Sequence, residues 1–178
     1  LKFFVEINAA SIPNKMDLDA YFDLVNLDKE DRDRLLKDFS HGMKNKMQLL
    51  VHIIADPGIL LLDEPTNGLD IPSKTTLRRL LAAYADEKRT ILISTHQVRE
   101  VENLIDNIII LDEQGLALAA TTEELTRSLT FGSLSPAAKA IYCESSLTGE
   151  EGIAVNTTDT ESRLDLELLF AAVSRDLT

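Results

Sequence analysis

The sequence predicts an α/β fold, a parallel sheet covered by helices, and three observations predict it. Two short apolar runs, Ile59–Leu62 and Thr90–Thr95, each read as a strand buried on both faces. Amphipathic helical patterns precede and separate them. The order from residue 59 to 111 is then strand, helix, strand, helix, strand, the rhythm of parallel strands joined by crossovers.

The elements follow in chain order. Lys2–Ile7 suits a strand, and Ser11–Lys15, with Pro13, a loop. Residues 17–38 read as helical, with Asp17 or Asp19 as cap and Tyr21, Leu24, Val25 and Leu27 as the apolar face. The charged run Asp28–Asp38 belongs on a solvated surface. Ser40-His41-Gly42 opens the sharpest helix, where Met43, Met47, Leu50, Val51 and Ile54 share one face. Asp56-Pro57-Gly58 ends it.

A helix is expected from Pro72 to about Glu87, with Leu77, Leu80, Leu81 and Tyr84 as its stripe. A short helix over Gln97–Ile105 and a strand over Asn107–Leu111 come next. Gln114-Gly115 turns the chain into an antiparallel partner, Leu116–Ala120. Thr121 with Glu124 makes a capping box for a helix to about Ser128. Gly132–Pro136 looks like a linker. Ala140–Cys143 and Ile153–Val155 suit short strands, and Leu164–Val173 suits a helix. The organisation read from this pattern is an unplaced segment 1–16, a helical portion 17–58, an α/β core 59–131 and a small accessory region 132–178.

Composition narrows the function. Apolar residues are 44% of the 178, so the chain can build a core. The net charge of −12 argues against nonspecific nucleic-acid binding, which needs cations to displace counterions. It does not exclude a nucleotide, which backbone N–H groups and a metal can hold. The single cysteine, Cys143, allows no disulfide framework within the chain, fits a reduced cytosolic setting, and is expected half-buried. No apolar run approaches the roughly 18–20 residues of a membrane span. Leu1–Asn8 does not read as a signal peptide.

The chemistry concentrates at three places. Asp63 and Glu64 follow four consecutive apolar residues, at the carboxyl edge of a strand, where open α/β sheets bind ligands. Asp63 suits Mg²⁺, a hard cation that prefers oxygen, and Glu64 suits the orientation or deprotonation of a water. His96 ends the neighbouring strand and falls on the same edge, where an imidazole can donate to a phosphate oxygen. Ser40 opens a helix whose N-terminus attracts anions. Each residue alone has a plainer reading: an acidic loop, a satisfied surface histidine, a helix cap.

Together they resemble a known family. Phe39-Ser40-His41-Gly42-Met43, then Ile59-Leu60-Leu61-Leu62-Asp63-Glu64-Pro65-Thr66, then Asn67-Gly68-Leu69-Asp70, then Ser94-Thr95-His96, look like the signature, Walker B, D-loop and switch histidine of ABC transporter ATP-binding subunits. The resemblance covers about residues 17–128. Ser-x-Gly-Met-Lys is similar to the signature of bacterial drug- and antibiotic-export ATPases. His41 and Met43 stand where the commonest signature has glycine and glutamine.

The resemblance implies a P-loop NTPase-type sheet with part of the family's helical subdomain. It also implies an ATPase that works as a head-to-tail dimer of nucleotide-binding domains. Ser40, His41, Gly42 and Met43 would meet ATP held by the partner domain, and Asp70 would couple the two sites. Asp63 would serve Mg²⁺, Glu64 the hydrolytic water and His96 the γ-phosphate. A separate transmembrane permease would be the other partner, with the chain on the cytoplasmic face of the membrane.

The motif GxxxxGK[ST] does not occur in the 178 residues, and no glutamine precedes the signature. The front part of such a domain is therefore expected to be missing from this sequence. A non-transport ABC ATPase and a non-catalytic subunit of the same fold are the alternatives. Strong acidity and the single cassette disfavour the first, and retention of Glu64 and His96 disfavours a degenerate copy.

Overall fold

The computed structural model describes residues 20, 22–23, 25–26, 31, 34–134, 139–146, 149–158 and 160–175. The expected strand Lys2–Ile7, the loop Ser11–Lys15 and the caps Asp17 and Asp19 lie outside these residues, as do Tyr21, Leu24 and Leu27. The chain forms two compact units, Leu1–Gln97 and Val98–Thr178.

In the first unit, helix α1 spans His41–Ile54. Ser40 caps it, its Oγ accepting the Met43 N–H at 3.2 Å, so one orphan donor of the first turn is satisfied. Met47, Leu50 and Ile54 are buried, as the spacing demands, Met43 and Val51 of the expected face are half-buried, and Leu49, outside that face, is buried too. Asp56 leaves the helix with φ 48°, and Pro57 prevents its continuation.

Strand β1, Ile59–Asp63, pairs in parallel with β2, Thr90–Ser94, in a register that sets Asp63 beside Ser94. The crossover between them is helix α2, Ile71–Tyr84, with Pro72 in its first turn. Leu77, Leu80, Leu81 and Tyr84 are all buried. Arg89 ties the end of this crossover back to the start of β1. It donates to Asp56 Oδ1 at 2.8 Å through Nε, and its guanidinium lies 4.7 Å from the centroid of the Tyr84 ring.

Two expectations change here. The segment 17–38 is not one helix. Phe22 and Asp23 are helical, but Val25 and Asn26 form a turn, and Asn26 has φ 51°. Asparagine tolerates that left-handed conformation, and the charged run beyond it has no apolar face to carry a helix onward. Nor is β1 buried on both faces. Leu60 is 3% exposed, but Ile59 and Leu61 are 66% and 69% exposed. Among the described residues β1 pairs with β2 alone, and only one face of this two-stranded sheet is covered.

In the second unit the expected helix 97–105 shrinks to a 3₁₀ turn, Val98–Glu100. Strand β3, Asn107–Asp112, pairs antiparallel with β4, Gly115–Thr121, as the hairpin reading expected, and has no parallel neighbour among the described residues. Asp112 Oδ1 accepts the N–H groups of Gln114 and Gly115 at 2.6 and 2.8 Å, and Gly115 takes the φ of 125° that closes the hairpin. Helix α3, Thr122–Ser128, starts with the expected capping box.

The expected linker is partly strand. Gly132 and Ser133 belong to β5, Leu129–Ser133, while Pro136 lies outside the described residues. Strand β6 is Ala140–Ser146 and β7 is Gly149–Val155, in the antiparallel order β5-β7-β6. Gly152 is required there, because a Cβ would come within 2.3 Å of the Tyr142 carbonyl oxygen. Cys143 is exposed rather than half-buried. Helix α4, Leu166–Arg175, closes the unit by packing Leu166 and Leu169 against Ile108, Ile110 and Leu125.

Candidate functional site

All eight residues singled out from the sequence, Ser40, His41, Gly42, Met43, Asp63, Glu64, Asp70 and His96, fall in the first unit. The structure gathers them into two groups.

The first group sits where β1 and β2 end. The parallel register brings residues 31 and 32 positions apart into hydrogen-bond range. Ser94 Oγ donates to Asp63 Oδ1 at 2.5 Å. The Glu64 carboxylate accepts three donors. His96 N–H reaches Oε1 at 3.0 Å, His96 Nδ1 reaches the same oxygen at 2.7 Å, and Thr95 Oγ1 reaches Oε2 at 3.1 Å.

These donors fix the charge state. The His96 ring contact, the His96 N–H, the Thr95 hydroxyl and the imidazole's charge together hold the Glu64 carboxyl below its ordinary value of 4.5, against the opposing effect of burial. An ionised carboxylate only accepts, so His96 Nδ1 carries the proton in this bond. That orients the ring and leaves Nε2 as its other functional atom. The imidazole is 70% exposed and the Glu64 side chain 30%, so the pair is open to a ligand.

The backbone is also unusual here. Glu64 has φ 45°, a left-handed conformation that costs a non-glycine residue about 1–3 kcal/mol. Its N–H still donates to Ser94 O at 2.8 Å, and its C=O accepts from Asn67 N–H at 3.0 Å. The ladder to β2 therefore continues one residue past the strand and carries Glu64 to the edge.

The second group joins the start of α1 to the loop after Glu64. Asp70 caps α2, its Oδ1 accepting the Ser73 N–H at 2.9 Å. The Ser73 hydroxyl and N–H, and more weakly the Lys46 charge, lower the Asp70 carboxyl from its ordinary 3.8. Gly42 lies against this cap, because a Cβ on it would come within 3.2 Å of Ser73 Oγ. The His41 ring borders Gly68, which has φ 68°, and a Cβ there would stand 3.4 Å from the imidazole. His41 Nε2 and Asn45 Nδ2 are 3.3 Å apart. The cap residue Ser40 remains exposed.

Among the described residues no cluster of three or more His, Cys, Asp or Glu could hold a metal ion. Asp63 offers a single exposed carboxylate with the Ser94 hydroxyl beside it. That donor set does not suit an all-protein cage. It fits Mg²⁺, which commonly takes one or two carboxylates and completes its shell with phosphate oxygens and water.

Sequence reading quotes Gly68, Ser94 and Thr95 inside motifs without giving them a role of their own, and does not single out Ser73. Ser94 and Thr95 precede His96 directly, and the parallel pairing of their strand with β1 was the available signal. Gly68 and Ser73 act through tertiary approach, and no local pattern pointed to Ser73. Thr66 is fully buried, and its Oγ1 has no partner among the described residues.

Residues 9–102 match the family described as "AAA domain, putative AbiEii toxin, Type IV TA system". The chain is 32% identical over 141 residues to the daunorubicin/doxorubicin resistance ATP-binding protein DrrA of Streptomyces peucetius, covering 79% of this chain and 37% of that protein. It is 44% identical over 85 residues to the lantibiotic transport ATP-binding protein SrtF of Streptococcus pyogenes, covering 48% of this chain and 35% of that one. The chain thus spans little more than a third of the length of these relatives. A solved structure of an ATP-binding subunit of an ABC transporter superposes with a TM-score of 0.55 at 20% identity, over 69% of this chain and 51% of that one, a likeness of fold.

Proposed function

Because this chain belongs to the AAA-domain family and has ATP-binding proteins of ABC transporters as homologues, we propose that it is the hydrolytic part of a transporter ATPase, of the exporter type. In this reading residues 17–58 carry the signature helix, 59–131 the hydrolytic core and 132–178 an accessory region. The observation that carries it is the Glu64–His96 pair. An ionised carboxylate and an oriented imidazole share one exposed strand edge, beside a carboxylate suited to a divalent cation.

Glu64 orients the attacking water and accepts its proton. His96, its Nδ1 proton committed to Glu64, presents Nε2 to the γ-phosphate and donates to it when the ring is an imidazolium, protonated on both nitrogens. Asp63, with Ser94 beside it, would hold Mg²⁺, which when bound neutralises charge on the phosphates. Ser40 is exposed at the positive end of α1, and with Gly42 and Met43 it suits a phosphate held by a second nucleotide-binding domain. His41 adds an imidazole to that helix end.

Asp70 and the loop 67–70 run from Glu64 to the foot of α1. The contacts of His41 with Gly68 and of Gly42 with Ser73 link a partner-facing helix to the chain's own acid. Closure of two such domains around ATP would then drive a membrane permease from the cytoplasmic side. No described helix is long and apolar enough to cross a membrane.

The test is Glu64→Gln in the assembled ATPase. ATP hydrolysis is expected to fall by at least about a hundredfold while ATP binding and ATP-driven pairing persist. Sustained hydrolysis in that variant would remove Glu64 from its role.

A further inference from the structure

The geometry points to Thr95 as a positioning residue for hydrolysis, one that fixes the orientation of the Glu64 carboxylate through its second oxygen. The inference rests on the reading of Glu64 as the group that orients the attacking water.

His96 grips Glu64 twice, but both contacts fall on Oε1. The last torsion of a glutamate side chain is broad, so a carboxylate held by one oxygen still swings about it. Thr95 Oγ1, at 3.1 Å from Oε2, is the contact that removes this freedom.

The hydroxyl is itself aimed. It accepts the Gln97 N–H at 3.0 Å, which occupies a lone pair and leaves its single proton for Glu64. The Gln97 side chain in turn accepts from Lys74 Nζ at 3.2 Å, which ties the loop after β2 to helix α2. A β-branched residue also has few χ1 rotamers, so the hydroxyl cannot easily turn away. A water bound to Glu64 must be aimed along one line at phosphorus, and misalignment costs rate rather than affinity.

The experiment compares Thr95→Val and Thr95→Ser with Glu64→Gln and wild type in the assembled ATPase. Valine keeps the shape and branching of threonine but lacks the hydroxyl; serine keeps the hydroxyl. Thr95→Val is expected to lower kcat by about ten- to a hundredfold, the worth of a hydrogen bond to a charged group, with KM for ATP unchanged within about twofold. Thr95→Ser is expected to restore most of kcat, and both variants are expected to retain the wild-type thermal transition.

A Thr95→Val enzyme with wild-type kcat, beside an inactive Glu64→Gln, overturns the role of Thr95 and leaves that of Glu64 standing. An active Glu64→Gln overturns both. Equal losses in the valine and serine variants, or a rise in KM that matches the fall in kcat, assign Thr95 to structure alone and overturn the inference.

Discussion

Glu64 and Glu124 are held in nearly the same way, yet they belong to different kinds of region. Each carboxylate accepts a backbone N–H, each residue is paired with a threonine hydroxyl (Thr95 Oγ1 donates to the Glu64 carboxylate, Thr121 Oγ1 accepts the Glu124 N–H), and each carboxyl titrates below its ordinary value. At Glu124 every bond comes from Thr121, three residues away, and the pair closes on itself as a capping box. At Glu64 every side-chain bond crosses from β1 to the end of β2, the backbone is left-handed, and a solvent-open imidazole takes part. Local satisfaction starts a helix. Satisfaction across two strands, held at an exposed edge, makes a site.

Substitutions can break or sharpen this contrast. The largest effect after Glu64→Gln is expected from His96→Ala, which removes the ring contact on Oε1 and the donor to phosphate. Hydrolysis should fall about a hundredfold, measured as phosphate release, with the thermal transition barely moved. A melting shift as large as the loss of rate would make His96 a structural residue like Thr121.

Next in size is Gly152→Ala. The new methyl meets the Tyr142 carbonyl, so β6 and β7 must separate, at about 1–3 kcal/mol in denaturant unfolding. Unchanged stability there would show that the sheet gives more easily than its close pairing indicates.

Smaller still is Thr121→Ala, expected to cost about 1 kcal/mol through loss of the cap, without change in hydrolysis. If it slowed hydrolysis as His96→Ala does, the division between structural and functional carboxylates would fail.

The smallest effect is in pH. Glu124 has a depressed folded pKa, chiefly through the Thr121 N–H, so its contribution to stability is complete above the unfolded value and fades as pH falls through the folded one. Glu124→Gln should flatten the acid side of the stability profile slightly. An unchanged profile would mean the capping box also forms in the unfolded chain.

What sequence made legible follows the same division. The buried stripe of α1, the cap at Ser40, the stripe of α2 and the Thr121–Glu124 box are all set by residues within a few positions of one another, and local pattern reads them directly. Asp63, Glu64 and His96 were readable as ends of apolar runs, because parallel pairing sends such ends to one edge.

The rest depended on tertiary partners. A run of four leucines and isoleucines cannot tell how many strands flank it, so the open face at Ile59 and Leu61 was not foreseen. The turn at Asn26 hides in a helical pattern, since asparagine is only a weak breaker. Gly132 carried a loop's composition yet pairs with Gly152 across β5 and β7. Thr95, plain in sequence, takes its importance from an oxygen on another strand.

The central claim is that Glu64 and His96 act as one hydrogen-bonded unit in hydrolysis. A double-mutant cycle on phosphate release, comparing Glu64→Gln, His96→Ala and the pair together, tests it most directly. The double variant is expected to be no slower than the slower single variant, because either change already dismantles the unit. Losses that multiply would mean the two residues work independently, and would contradict the claim.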